Sequence, residues 1–402
     1  MSFLRSFIMP VLVFAGLFGC FPQKKETTKN EETTETRNAP VAEEIDAGAG
    51  DILVGSVFPL TGPIATYGQE SLNGIKLALE TINAEGINGK KMRLISEDNK
   101  GEPTESANAV RKLINVDKVH VIFGSVASSN TLAGAPIAQA AKVPLLTPAS
   151  TNEVVTKKGD YIFRSCFTDD FQGVVMAKFA RETLKKNKAL IVIDVASDYS
   201  RGLAKVFQKN FVELGGQVIE GTFTYNQGDK DFRSLLRKVK RAAPDVIFVP
   251  GYYTEVGTML QQARQMGFSV PFLGGDGWDS PKLKELAGSE GIKGNYISSH
   301  FSPDDQDPAV QTFVKNYKAK YAQLPGAMAA LGHDGMLVLA HAIRSIKTEI
   351  THEAVREALS KVRGFMGVTG TITIDENRNA KKSAVVLETT PNGTTFKQKV
   401  SP

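Results

Sequence analysis

The chain has few of the residues that usually signal catalysis or metal binding. It carries two cysteines and five histidines in 402 residues. No histidines stand at metal-ligand spacing, and the adjacent His333-Asp334 is simplest as a pair on one helix. Phosphate-binding GK[ST] and nucleophile-elbow GxSxG sequences are absent, and Gly364, Gly367 and Gly370 do not follow a strand as a dinucleotide fingerprint requires. With no nucleophile–base pair in view, the residues point away from an enzyme and imply no cofactor and no metal. Asp375-Glu376-Asn377-Arg378-Asn379 hints at a calcium loop, but Ala380 stands where glycine is required, so the segment reads as a turn between strands. Beyond the N-terminus no apolar run is long enough to cross a membrane. The net charge of +5 is dispersed rather than gathered in a stripe, which argues against a nucleic-acid partner.

The N-terminus is different. Arg5 precedes an apolar run from Phe7 to Phe18, too short for a comfortable membrane-spanning helix and ending in small residues, as in a cleavable secretory signal. Its last residues, Leu17-Phe18-Gly19-Cys20, resemble a bacterial lipobox, whose cysteine is lipidated and becomes the first residue of the mature protein. The other reading is an ordinary signal with a chance cysteine. Residues 21–50 are rich in Lys, Glu, Thr and Asn and nearly devoid of large apolar side chains, a composition that cannot offset chain entropy by burial. Such a tether spans on the order of 30 Å. With Cys20 committed to the anchor, Cys166 has no intramolecular partner and reads as a small buried thiol.

From Asp51 onward, short β-branched runs alternate with longer amphipathic ones. Strands are expected at Asp51–Leu60, Lys91–Glu97, Val119–Phe123 and Pro144–Thr147, with helices at Gly68–Asn83, Glu102–Asn115 and Asn130–Ala141. The rhythm then restarts: helices at Asp170–Leu184, Gly202–Leu214, Phe232–Ala242 and Thr254–Met266 separate strands at Ala189–Asp194, Gln217–Phe223, Val246–Pro250 and Pro271–Gly274. Helices at Pro308–Tyr321, Ala329–Ser345 and Thr351–Lys361 precede strand-like segments at Thr371–Ile374, Ala384–Thr389 and Thr395–Lys399. Two βα series imply an α/β protein of two lobes, each a mostly parallel sheet flanked by helices. Ligands of such sheets bind beyond the carboxyl ends of the strands, which makes the loops after Leu60, Phe123, Leu146, Asp194, Pro250 and Gly274 the places to look.

Those loops carry a resemblance. Phe58-Pro59-Leu60-Thr61-Gly62-Pro63 with Tyr67-Gly68, then Asn73-Gly74 and Ile82-Asn83-Ala84-Glu85-Gly86, resemble the start of a periplasmic branched-chain amino acid binding protein. Phe123-Gly124-Ser125 with Ser128-Ser129, Thr147-Pro148-Ala149-Ser150-Thr151-Asn152, Asp198-Tyr199-Ser200-Arg201-Gly202, Gly251-Tyr252-Tyr253 and Leu273-Gly274-Gly275-Asp276-Gly277 continue it in order, from about Asp51 to at least Asp375. The resemblance implies a two-lobed periplasmic binding protein fold joined by a three-crossing hinge, with crossings near Thr168, Ser299 and Ile372. The expected division is 1–19 signal peptide, 20–50 lipidated cysteine and tether, 51–168 with 300–370 as lobe 1, and 169–299 with 371–402 as lobe 2.

By the same resemblance, Ser128 and Thr151 would hold a ligand carboxylate. Ser128 lies just before an expected helix, whose free N–H groups also favour an anion. Ala149 would accept from the ligand ammonium through its carbonyl, and Asp276 would supply the carboxylate that pairs with it. Tyr67, Tyr199 and Tyr252 would form aromatic walls with hydroxyl handles. Trp278, two residues past Asp276, is better read as packing than as pocket wall. The function implied is that of an exported, lipid-anchored solute-binding protein. It would hand a small amino acid, branched-chain or similar, to the transmembrane subunits of an ABC permease. The alternatives are a ligand-sensing domain that signals to a partner protein, or an amide-, urea- or carboxylate-type solute.

Overall fold

Each apolar run between Ile52 and Arg164 becomes a parallel strand. In the computed structural model, which describes residues 50–402, the order is β1 (Ile52–Phe58), α1 (Ala65–Glu85), β2 (Met92–Asp98), α2 (Pro103–Asn115), β3 (Val121–Gly124), α3 (Ser128–Ala140), β4 (Leu145–Thr147) and β5 (Ile162–Arg164). The sheet runs β2-β1-β3-β4-β5, all parallel, with Val54 in register with Leu94 on one side and Val121 on the other. The inner strands β1, β3 and β4 are buried along nearly their whole length, as expected where helices cover both faces. The expectations for the signal peptide, Cys20 and the tether lie outside the described residues.

The second series is α4 (Asp169–Lys178), β6 (Lys188–Ile191), β7 (Ile193–Asp194), α5 (Asp198–Glu213), β8 (Gln217–Val218), β9 (Thr224–Tyr225), α6 (Arg233–Ala242), β10 (Val246–Phe248), α7 (Tyr253–Gln265), β11 (Phe272–Gly274), α8 (Pro281–Ile292) and β12 (Asn295–Ser299). It is followed by α9 (Pro308–Tyr321), α10 (Ala327–Arg344), α11 (His352–Ser360), β13 (Phe365–Gly367), β14 (Gly370–Ile374), β15 (Ala380–Lys381), β16 (Ala384–Thr390) and β17 (Gly393–Val400). The second sheet has the order β17-β16-β12-β11-β10-β6-β8, and its last two strands join antiparallel.

Two segments read as single strands differ. Lys188–Ile191 pairs with β10 and Ile193–Asp194 turns to pair with Thr224–Tyr225, so Ala189–Asp194 changes partners midway, while the strand expected over Gln217–Phe223 shortens to Gln217–Val218. The helix expected over Asp170–Leu184 widens to a π turn at Phe179–Thr183. Strands β5, β12, β13 and β15 and helix α8 were not expected. β5 is three residues long, too short to show a period, and α8 is interrupted at Gly288, whose φ of 69° is not helical. Local signals do mark its start: Ser280 caps the Lys282 N–H and Pro281 occupies the first turn, as Asp307 and Pro308 do for α9.

Helix α10 returns to the first sheet and crosses α1 at very short range. A Cβ on Gly74 would lie 1.9 Å from the Ala329 carbonyl oxygen, and one on Gly332 would lie 2.4 Å from that of Ser71. Only glycine permits this approach, and it brings Met328 to the mouth between the sheets.

The chain passes between the lobes after Arg164 and after Ser299. The third passage differs from the position implied near Ile372. Strands β13, β14 and β15 stay with the first lobe, because Arg164 N–H donates to the Arg378 carbonyl, Thr156 bonds Asn379, and Asp334 accepts from the Val368 and Thr369 N–H groups. The passage therefore falls at Lys382–Ser383, between β15 and β16. The segment Asp375–Asn379 is the turn joining β14 to β15, closed by Asp375 N–H to the Asn379 carbonyl. Among the described residues no helix is long and apolar enough to cross a membrane.

Candidate functional site

Two loops of the first lobe are locked together before either reaches the cleft. The Ser125 carbonyl, just after β3, accepts from Thr147 Oγ1 at 2.6 Å and from Ser150 Oγ at 3.1 Å, and Ser150 also reaches the Val126 carbonyl. Beneath them lies Arg164, wholly buried. Its Nη1 donates to the Ser150 carbonyl and its Nη2 to the Asn152 carbonyl, both at 2.7 Å, while Nε holds Asn379 Oδ1. A planar guanidinium suits such divergent acceptors. Burial pulls its pKa down, yet three good acceptors keep it paired. This clamp sets Ala149 and Thr151, and Ser128 follows at the first position of α3. Ser128 Oγ accepts from the Asn152 N–H at 3.3 Å, tying the two loops at the cleft surface.

In the second lobe Ser197 caps α5 through the Ser200 N–H, placing Tyr199 in the first turn. Tyr252 stands immediately before α7 and stacks on Tyr199, with centroids 5.4 Å apart and planes 11° from parallel. Asp276 follows β11. Its Oδ1 accepts from Tyr199 Oη and from Gln172 Nε2, both at 3.0 Å, and its Oδ2 lies 3.1 Å from His300 Nε2. His300 is stacked on Phe167 at 3.6 Å, and burial lowers its pKa against the opposing pull of Asp276. A neutral imidazole donating Nε2–H to Oδ2 satisfies both. Gly275 leaves room for this cluster, since a Cβ there would meet Tyr199 Oη at 2.3 Å.

The lobes are closed upon each other. Tyr67 Oη on α1 donates to the Gly277 carbonyl, Tyr253 Oη donates to the Pro63 carbonyl at 3.0 Å, and Ser129 Oγ bonds Asp198 Oδ2 at 2.9 Å. Between them remains a small cavity, ≈ 10 Å³ of it open to a water-sized sphere. Tyr67, Ser128, Ala149, Thr151, Tyr199, Tyr252 and Asp276 all line it, each no more than 9% exposed. Val126, Ala127, Gly277 and Met328 complete the wall. The cavity's walls nearly meet in this closed arrangement. Its ends differ: the first turn of α3 and two hydroxyls on one side, a buried carboxylate among three donors on the other.

Sequence reasoning did not name Gln172 and His300, the groups that hold Asp276, nor Met328. None had a motif, and each reaches the site from an element distant in sequence. Trp278 faces away from this cavity; its Nε1 donates to the Val249 carbonyl at 2.9 Å. Cys166 is buried beneath the Ser150 carbonyl, and burial pushes its thiol up to about 12, so no thiolate forms at neutral pH.

Two α/β lobes closing on a small cavity with a carboxylate at one end and helix N–H groups at the other define a solute-binding protein. Residues 51–394 match the family described as periplasmic binding protein, and the chain belongs to that family. It is 31% identical over 339 residues to a leucine-, isoleucine-, valine-, threonine- and alanine-binding protein of Pseudomonas aeruginosa, covering 83% of this chain and 88% of that one. The crystal structure of a leucine-binding protein from Thermotoga maritima superposes with a TM-score of 0.84 at 39% identity, covering 87% of this chain and 99% of that one. A branched-chain amino acid transporter substrate-binding protein of Streptococcus pneumoniae, solved with isoleucine, gives a TM-score of 0.82 at 34% identity over 88% of this chain and 100% of that one. The family comprises solute-binding proteins of transporters and is not an enzyme class.

Proposed function

We propose that this chain is the extracytoplasmic solute-binding component of an ABC importer and that it takes a small aliphatic amino acid in the interlobe cavity. One observation carries the reading: Ser128 and Thr151 from one lobe and Asp276 from the other line the same cavity, donors on one side and a carboxyl on the other, the two kinds of partner a zwitterion requires. The α-carboxylate lies at the first turn of α3, where N–H groups lack intrahelical partners and the helix dipole favours an anion. The ammonium pairs with Asp276 and the Ala149 carbonyl, and the side chain lies against Tyr67, Tyr252 and Met328. Names of relatives that specify leucine, isoleucine and valine support an aliphatic side chain.

Calorimetry with leucine tests this. Asp276→Ala leaves the ammonium underpaired and is expected to cost roughly 2–5 kcal/mol of affinity, whereas Ser128→Ala costs about 1–2 kcal/mol because helix and loop donors remain. Unchanged affinity in Asp276→Ala would place the ammonium elsewhere. On the same reading the protein is exported and held to a membrane by lipid on Cys20, with 51–168 and 300–370 forming most of lobe 1. The importer's transmembrane subunits are its partner.

A further inference from the structure

The three passages of chain between the lobes converge on one side chain. His300 stands at the second, 2% exposed, and its ring stacks on Phe167 of the first, with centroids 3.6 Å apart and planes 20° from parallel. Lys382, at the third, is likewise buried and opposes a positive charge on His300. The ring's Nε2 meets Asp276 Oδ2 at 3.1 Å, while Nδ1 has no hydrogen-bond partner among the described residues. Tyr199 Oη and Gln172 Nε2 both go to the other Asp276 oxygen, so among the described residues Oδ2 depends on His300. A neutral ring with its proton on Nε2 serves that oxygen and leaves Nδ1 as a lone pair. A second proton, on Nδ1, would be buried without an acceptor and beside the Lys382 ammonium.

We propose that His300 is a positioning residue for the solute's ammonium group: neutral, it steadies the Asp276 carboxylate that pairs with the ammonium, and protonated, it takes that carboxylate as its own counter-ion and weakens the solute's hold. The proposal rests on the reading of Asp276 as the ammonium's partner. One carboxylate balances one cation. With a neutral ring, Asp276 is left to the ammonium; with an imidazolium, the ammonium meets a carboxylate already neutralised. By linkage, a solute weakened by protonation of His300 must equally lower the proton affinity of His300 when bound.

Burial lowers the pKa of His300 from its ordinary 6.5, against the bond to Asp276 and its charge, with Lys382 adding to the fall. Full affinity therefore holds above about pH 6.5 and is lost as pH falls below it. Other groups titrate around the ring. Burial carries Asp169, which shares Gln172 with Asp276, up to about 8, and Asp279, bonded to Ser299, to about 6. Lys382, lowered by burial to about 8, stays charged throughout the acid range, and the Cys166 thiol and Tyr199 hydroxyl stay protonated. All of these persist when the imidazole is replaced, so comparison of variants isolates His300.

Leucine calorimetry on the full chain between pH 8 and pH 4.5 reads the effect. Wild type is expected to bind about fivefold or more weakly at the acid end. His300→Leu leaves Oδ2 without its donor and should weaken binding at pH 7.5 about tenfold, whereas His300→Gln, whose amide can donate to the same oxygen, should restore most of that loss. The acid loss in His300→Gln should be about fivefold smaller than in wild type, a difference that a purely structural histidine would not make. Ring NMR of the solute-free chain is independent of leucine. The His300 signal, identified among five histidines by its absence from His300→Gln, should show the Nε2–H tautomer at pH 7.5. Wild type that binds no leucine at any pH defeats the amino-acid reading of the cleft, and the tautomer then decides for or against His300. Equal acid losses in wild type and His300→Gln, no rescue at pH 7.5, or an imidazolium or Nδ1–H tautomer at that pH overturns the proposal.

Discussion

Asp169 shows how one buried side chain can set a pH dependence. It is buried at the start of α4, with Oδ1 accepting from Gln172 at 2.7 Å and Oδ2 unpartnered among the described residues. Burial, with the charge of Asp276 adding, pushes its carboxyl up to about 8, against weaker opposing pulls from Thr151, Gln172 and Arg164. As pH rises through the ordinary carboxylate range the unfolded chain ionises while the folded one stays protonated. Stability contributed by this group is therefore lost between about pH 4 and about pH 8 and is constant above. Asp169→Asn removes that slope. We expect the variant to gain on the order of 2–4 kcal/mol relative to wild type between the two ends of the range, read from denaturation midpoints. Parallel profiles for the two proteins would assign the slope to another carboxyl.

At the scale of elements, the first lobe depends on the close crossing of α1 and α10. Gly74→Ala sets a methyl 1.9 Å from a backbone carbonyl that no rotamer change can move. The helices must separate, at a cost of about 1–3 kcal/mol or more. Because Tyr67 and Met328 ride on these two helices, leucine affinity should fall together with the melting temperature. A variant with lower stability and unaltered affinity would show that the helices part elsewhere than at the cleft. Of the elements, α1, α2, α3, α5, α6, α7, α9 and α11 were legible from apolar spacing, since each buries one face, and α10, buried on nearly every side, from its apolar run. The short strands β5, β9, β13 and β15 were not. Their pairing is fixed by neighbours in the sheet rather than by a period of their own.

For the whole molecule the decisive property is closure. Tyr67 to Gly277, Tyr253 to Pro63, Ser129 to Asp198 and Asn152 to the Asp198 carbonyl are bonds across the mouth between lobes joined by three crossings. A leucine-sized solute bound at micromolar strength needs about 8 kcal/mol from few atoms, which contacts from both lobes supply. Solution scattering should accordingly show a smaller radius of gyration with saturating leucine than without it. Identical profiles would mean that the lobes stay closed when empty. The N-terminal expectation is tested separately: Cys20→Ser should release the protein from the membrane fraction, and unchanged fractionation would remove the anchor.

What the sequence determined by itself was whatever is written locally or in order along the chain. The alternation of apolar runs gave two βα series, the lack of catalytic and metal-ligand spacings argued against an enzyme, and ordered loop motifs named the residues that now line one cavity. The support of that cavity belongs to the tertiary structure. Arg164 clamps the Ala149–Thr151 loop while holding Asn379, and Gln172 and His300 converge on Asp276 from α4 and from the second crossing. The placement of the third crossing after β15 is likewise invisible in sequence. Buried hydrogen bonds between residues a hundred or more positions apart leave no local pattern. Only the folded chain decides which donor meets which acceptor.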